Sequence, residues 1–318
     1  MNYKPGKIRG LQRTSDENGI FKIVAVDHGA SLKPSIRPEA PETVTYEEVI
    51  DVKMSVVRHV AQHTTAVLLD PVFGLGTAVL NHIIPGNVGL LSSIEDGSYA
   101  STTAQAQRYE GWSMEKIKWM GATAVKLYVL YNPDDDNLVH LQDQFIADAV
   151  ADCKKYELPL FAEPIGYGYE PAERPSIVIE SAKRFCNLDI DILKAEFPID
   201  VHHEPNEAAW AEACRELSAA STVPWVLLSA GVDFATFVRQ VRVACENGAS
   251  GYLAGRAIWK EAIGLDGAAR ERFLAETAVS RIHQLNEAAS NGRSWHDFYP
   301  ALGHPPALGW HQQYRKTA

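Results

Sequence analysis

The 318-residue chain sets 30 Lys and Arg against 40 Asp and Glu, a formal net charge of −10, which excludes a general nucleic-acid-binding surface. With 46% hydrophobic and 22% charged residues the composition is that of a soluble globular protein, and disorder is excluded for most of the chain. The longest apolar stretches are about six to eight residues, far short of the roughly 18 to 20 that cross a bilayer. Met1-Asn2-Tyr3-Lys4-Pro5 lacks the apolar core of a secretory signal, so a cytoplasmic protein without a membrane partner is expected.

In chain order, short apolar runs ending in polar residues alternate with helical periodicity. The first strand is read over Lys22–Asp27, followed by a Pro-rich stretch, Ser31–Thr43. Thr45 and Glu48 form a capping box ahead of Val49, Ile50, Met54, Val57 and Val60, whose spacing makes one apolar helical stripe. Strands Ala66–Asp70 and Val88–Glu95 come next, then a helix near Met114–Met120 and a strand over Ala124–Leu130. The alternation continues with a helix at Leu138–Lys154, strand Pro159–Glu163, helix Ile177–Arg184 and strand Ile190–Phe197. It ends with helix Glu207–Leu217, strand Pro224–Ser229, helix Phe234–Glu246, strand Gly251–Ala254 and helices at Arg256–Ile263 and Arg270–Ala288.

Near-continuous hydrophobicity in each strand argues for burial on both faces, the condition of a parallel sheet covered by helices. Eight such units in about 265 residues predict a single (β/α)8 TIM barrel with an extra C-terminal helix, with an open doubly wound sheet as the alternative. No linker or repeat divides the chain, so residues 1–290 are assigned to the barrel. Residues 291–318 form a tail whose Trp295, Phe298, Tyr299, Trp310 and Tyr314 predict packing on the barrel or on a neighbouring subunit. Cys153, Cys186, Cys214 and Cys245 are widely spaced without a CxxC and are read as reduced thiols.

Barrel chemistry sits at the C-terminal ends of the strands. These ends offer Asp27, Asp70, Glu95, Lys126, Glu163, Lys194 with Glu196, Ser229 and Gly255-Arg256. Alternation puts Lys194 on one face with Ile190, Ile192 and Glu196, and turns Asp191, Leu193, Ala195 and Phe197 the other way. A lysine so placed is poorly hydrated, which lowers its pKa and leaves a nucleophilic amine; a salt-bridged structural lysine is the alternative. Lys126 repeats the pattern, and two lysines at one mouth are expected to depress each other's pKa. Glu163 follows apolar residues, which predicts a raised pKa suited to general acid–base work. In the turns after the last two strands, Ser229, Gly231, Gly255 and Arg256 combine small residues, helix starts and a guanidinium in the pattern of an anion site.

From about Phe21 to Gly264 the chain resembles the class I tagatose 1,6-bisphosphate aldolase family, which includes the related sulfofructose-1-phosphate aldolases. The likeness is carried by Val67-Leu68-Leu69-Asp70, Gly111-Trp112-Ser113, Ala124-Val125-Lys126-Leu127, Glu163-Pro164, Leu193-Lys194-Ala195-Glu196-Phe197-Pro198, Leu228-Ser229-Ala230-Gly231-Val232 and Leu253-Ala254-Gly255-Arg256-Ala257. The resemblance implies Lys194 as Schiff-base lysine, Glu163 as its acid–base, Lys126 orienting hydroxyls and Asp27 holding the dihydroxyacetone portion or assisting proton transfer. It further implies a 1-phosphate on Ser229, Gly231, Gly255 and Arg256, no metal and no cofactor. The substrate it implies is a 1-phosphoketose: first tagatose 1,6-bisphosphate, cleaved to dihydroxyacetone phosphate and an aldehyde such as glyceraldehyde 3-phosphate, or else sulfofructose 1-phosphate.

One departure bears on the distal end of that substrate. Family members commonly continue the first-strand aspartate as Asp-Gln-Arg, whereas here the run is Asp27-His28-Gly29-Ala30, leaving Lys33, Arg37 or Arg108 as candidate replacements. Two other readings compete. A metal site would draw on His28, His202 and His203, of which the last two are adjacent and cannot easily both ligate. A sugar-phosphate sensor could keep the barrel and act on a partner protein, although Lys126, Glu163 and Lys194 are all present. Self-association is expected from the aromatic tail; oligomer size is not legible.

Overall fold

The structure, a computed structural model, describes residues 4–97 and 105–314. Eight parallel strands close into a barrel in sequential order: β1 (Phe21–Val26), β2 (Ala66–Leu69), β3 (Gly89–Ser93), β4 (Ala124–Tyr131), β5 (Leu160–Gly166), β6 (Ile192–Ala195), β7 (Trp225–Leu228) and β8 (Gly251–Ala254). Closure is direct, since β1 pairs with β2 on one side and with β8 on the other. The (β/α)8 expectation therefore holds and the open sheet does not. Among the described residues no helix is long and apolar enough to cross a membrane.

The capping box predicted at Thr45 forms: its hydroxyl accepts from the Glu48 amide (3.2 Å) while Glu48 accepts from the Thr45 amide (2.8 Å). Helix Tyr46–Val60 then buries Val49, Val52, Met54, Val56, Val57 and Val60 against the barrel. Each strand splits its side chains between two apolar layers. Outward residues such as Val24, Leu69, Val125, Leu193 and Leu227 join the large layer beneath the helices. Inward residues, among them Phe21, Ile23, Leu68, Leu91, Phe161 and Ile192, fill the barrel itself.

Two features of this packing depart from the sequence reading. Regular strand geometry in β6 covers only Ile192–Ala195, so alternation does not extend back to Ile190. Ile190 packs in the outer layer instead of beside Lys194, while Asp191 is buried where its carboxylate accepts from the Leu160 amide (3.0 Å) and pairs with Lys7 (2.7 Å). Lys7 belongs to an unforeseen helix, Pro5–Thr14, that closes the N-terminal mouth. Its apolar content is little more than Ile8 and Leu11, too sparse for a periodic signal. Leu11 joins the barrel interior together with Trp295, whose indole N–H donates to Ser15 (2.8 Å). Tyr299 donates to the Asp191 carbonyl (2.9 Å) on the same side. Beyond Tyr299, Leu302, Leu308, Trp310 and Tyr314 are exposed, and residues 315–318 of the tail lie outside the described residues. Cys153, Cys186, Cys214 and Cys245 are free thiols, the last two and Cys153 buried.

Candidate active site

The inward parity of the strands builds the site. Two residues beyond Ala25, Leu91, Ala124, Phe161 and Ile192 along this face (four in the case of Leu91) stand Asp27, Glu95, Lys126, Glu163 and Lys194. A period of two keeps each polar side chain above the apolar interior while the outer layer holds the strand in place. The polar groups emerge into a cavity of about 830 Å³ at the C-terminal mouth, which all five line.

Lys126 is the hub. Its ammonium donates to Glu95 (2.7 Å) and Asp27 (3.0 Å) and lies 3.1 Å from Glu163. Glu163 in turn stands 2.6 Å from the Lys194 ammonium. Three carboxylates and two ammonium groups thus share one buried cluster. Burial works against the charge on Lys126, but Asp27, Glu163 and Glu95 outweigh it and raise its pKa well above the ordinary lysine value. The expectation that the two lysines depress each other is overturned for Lys126, because three carboxylates stand within 3.1 Å of its ammonium.

The expectation for Glu163 reverses as well. Burial pushes its carboxyl up, yet Lys126 and Lys194 pull harder and hold it below the usual glutamate range. It therefore rests as a carboxylate able to accept a proton from the adjacent ammonium. Asp27 is likewise held low: burial raises it, and Lys126, His28 and Lys194 overcome that.

Glu95 behaves differently. Burial pushes it up to about 7, against the opposing pull of Lys126. Among the described residues its second oxygen, Oε2, has no hydrogen-bond partner. The folded protein then retains a proton on Glu95 that the unfolded chain releases near an ordinary glutamate pKa. The contribution of this group to stability is complete below that ordinary value and is lost as pH rises through about 7. Glu95→Gln is expected to flatten the decline of Tm between pH 5 and pH 8 in scanning calorimetry; an unchanged decline would contradict this assignment.

The rim is set by a buried pair that the sequence reading missed. Lys53, from helix Tyr46–Val60, donates to the His28 carbonyl (2.9 Å) and pairs with Asp70, whose carboxylate accepts from the amides of Val72 (3.1 Å) and Phe73 (2.7 Å). The signal was present, since Lys53 lies four residues from both Val49 and Val57 inside the apolar stripe. Asp70 thus holds the loop after β2 and does not line the cavity.

Across the cavity, Ala230 and Gly231 after β7 both have positive φ (44° and 79°). The second is natural only for glycine, and the pair turns the backbone sharply after Ser229. At Gly255 a Cβ would lie 3.2 Å from the Ala25 carbonyl and 3.3 Å from the His28 ring, so only glycine lets the ends of β8 and β1 approach without adjustment. Ser229, Gly231, Gly255 and the exposed Arg256 line one side of the cavity together.

Other sequence candidates lie elsewhere. Arg37 bonds Thr43 (2.8 Å) and Glu48 (2.6 Å), Arg108 pairs with Asp152 (2.7 Å), and neither they nor Lys33 line the cavity. Glu196 does, with its carboxylate bound by Arg174 (2.9 Å) and by the Gly166 amide (2.8 Å). His202 and His203 are exposed in the turn after β6, outside the cavity.

The family model described as DeoC/LacD family aldolase matches residues 21–261. Tagatose 1,6-diphosphate aldolase 2 of Streptococcus agalactiae is 30% identical, covering 91% of this chain and 97% of its own length. Tagatose 1,6-diphosphate aldolase of Listeria monocytogenes is 31% identical over 85% and 86% of the two chains. Among solved structures, an archaeal fructose 1,6-bisphosphate aldolase superposes with a TM-score of 0.61 at 18% identity, covering 89% of this chain and 98% of its own. Fructose-bisphosphate aldolase of Plasmodium falciparum gives 0.69 at 11% identity, over 90% and 94%. At these identities the structural likeness concerns the fold.

Proposed function

The chain belongs to the DeoC/LacD aldolase family, and from that premise we propose that it is a Schiff-base aldolase reversibly cleaving a 1-phosphoketose to dihydroxyacetone phosphate and an aldehyde. The observation that carries this reading is the Lys194–Glu163–Lys126 chain of contacts, 2.6 Å and 3.1 Å, at the mouth of the barrel. Tagatose 1,6-bisphosphate, named in the relatives, is the first substrate to assay, with sulfofructose 1-phosphate beside it.

In this mechanism Glu163 takes a proton from the Lys194 ammonium, and the freed amine attacks the C2 carbonyl to form a carbinolamine. Glu163 returns the proton to the carbinolamine hydroxyl, which leaves as water and yields a protonated iminium. The C4 hydroxyl gives its proton to a carboxylate of the cluster. The C3–C4 bond breaks, its electron pair passes into the iminium as an enamine, and the aldehyde departs. Protonation at C3 and addition of water then release dihydroxyacetone phosphate and the Lys194 amine.

Lys126, held cationic by its three carboxylates, orients the substrate hydroxyls in this reading, and Asp27 holds the dihydroxyacetone portion. Ser229, Gly231, Gly255 and Arg256 take the 1-phosphate through backbone amides and the guanidinium. A phosphorylated sugar needs local cations in a protein of net charge −10, and these groups supply them.

Borohydride reduction in the presence of dihydroxyacetone phosphate tests the reading: a stable adduct mapped to Lys194 is expected, and its absence would refute a Schiff-base mechanism. Glu163→Gln is expected to lower kcat by about 10²- to 10⁴-fold, with the rate of borohydride trapping falling in parallel. Trapping at the parent rate would remove Glu163 from carbinolamine formation and dehydration.

A further inference from the structure

We infer that the substrate half released as the aldehyde is uncharged: a ketose 1-phosphate whose chain ends in a hydroxymethyl or methyl group in place of a second phosphate or a sulfonate. This rests on the Schiff-base reading above, which places C1 at the loops after β7 and β8 and C2 at Lys194. The remaining carbons then extend across the mouth towards the loops after β1, β2 and β3.

Among the described residues that sector offers an anion no free ammonium or guanidinium group. Among the described residues the only Lys or Arg side chains lining the cavity are Lys126, Lys194 and Arg256. Arg256 belongs to the 1-phosphate side, Lys194 carries the imine, and Lys126 is already surrounded by Asp27, Glu95 and Glu163. Lys53 is buried and committed to Asp70 and the His28 carbonyl. His28 is partly buried, and that burial pushes its pKa down to about 4, with Arg256, Lys53 and Lys126 acting in the same sense and Asp27 against it. At neutral pH it carries no charge.

The wall of the sector is acidic and aromatic. Glu95, Asp96 and Glu110 line it with Phe73, Tyr109 and Trp112. At Gly29 a Cβ would lie 3.3 Å from the Phe73 ring and 3.9 Å from the Tyr109 hydroxyl. A distal dianion brought beside Asp96 and Glu110 would lose water and meet like charge, which is costly in a partly enclosed site. A neutral chain finds complementary groups instead. Among the described residues Ser93 Oγ, Glu95 Oε2 and His28 Nδ1 are buried polar atoms without hydrogen-bond partners, and the three side chains line the same cavity. Each can exchange a hydrogen bond with a sugar hydroxyl, and the aromatic rings can cover a terminal carbon.

The test runs the enzyme in the condensation direction with dihydroxyacetone phosphate and one of three aldehydes: glyceraldehyde, lactaldehyde or glyceraldehyde 3-phosphate. The expected result is a kcat/KM for a neutral aldehyde about tenfold or more above that for glyceraldehyde 3-phosphate. Equal use of the two kinds, or preference for the phosphorylated one, would overturn the inference. Borohydride trapping with dihydroxyacetone phosphate alone separates the levels. An adduct on Lys194 with preference for the phosphorylated aldehyde overturns only the distal assignment, whereas failure to form an adduct overturns the Schiff-base reading and the inference with it.

Discussion

Lys194→Ala is expected to reduce ketose cleavage by roughly 10⁴-fold or more, as removal of a covalent nucleophile does elsewhere, while leaving the fold intact. The two halves of this expectation have separate causes. Activity falls because the iminium is the electron sink for C3–C4 cleavage, and the other amine of the cluster, Lys126, is held as an ammonium by Asp27, Glu95 and Glu163. Stability survives because Glu163 keeps its other ammonium, Lys126, at 3.1 Å, so the substitution strands no buried carboxylate. Cleavage rates with a 1-phosphoketose and borohydride trapping followed by mass analysis check the first half, and calorimetry checks the second. Substantial cleavage by the variant would end the assignment of Lys194 as nucleophile.

Lys126→Met should combine a comparable loss of activity with a loss of stability of about 3–5 kcal/mol, the range for removing one partner from a buried ion network. Asp27, Glu95 and Glu163 would be left facing one another with only Lys194 nearby. The pH dependence follows from the sign of the interaction. Without Lys126 the carboxyl pKa values in the folded state rise above their unfolded values, so the folded variant binds more protons than the unfolded chain. Its stability must then increase as pH falls from 8 to 5. Calorimetry across that range should show the Tm deficit relative to the parent shrinking towards acid. A deficit independent of pH would mean that Lys126 contributes by packing alone.

Much of the site was legible because a strand has a period of two and its end is polar. Lys194 follows Ile192 and Glu163 follows Phe161 in runs otherwise apolar, so their inward direction is a local property of a few residues. The N-terminal helix was not legible, because Ile8 and Leu11 make too weak a stripe and the surface they cover exists only once the barrel has closed. Lys53 was hidden for a related reason: a lysine within an apolar stripe reads as a break until Asp70 and the His28 carbonyl are brought to it.

The sequence by itself therefore determined the order of the eight strand–helix units, the residues standing at the strand ends and the class of chemistry those residues can perform. Only the tertiary structure decided the charge states and the reach of the site. Lys126 and Asp27 are 99 residues apart in the chain and 3.0 Å apart in space, and the interaction of charges depends on the second distance alone. For that reason Glu163 is a resting carboxylate where its apolar neighbours suggested an acid, and Glu95 carries the raised pKa. For the same reason Arg37 and Arg108, close in sequence to the mouth, turn to Glu48 and Asp152 and do not line the cavity.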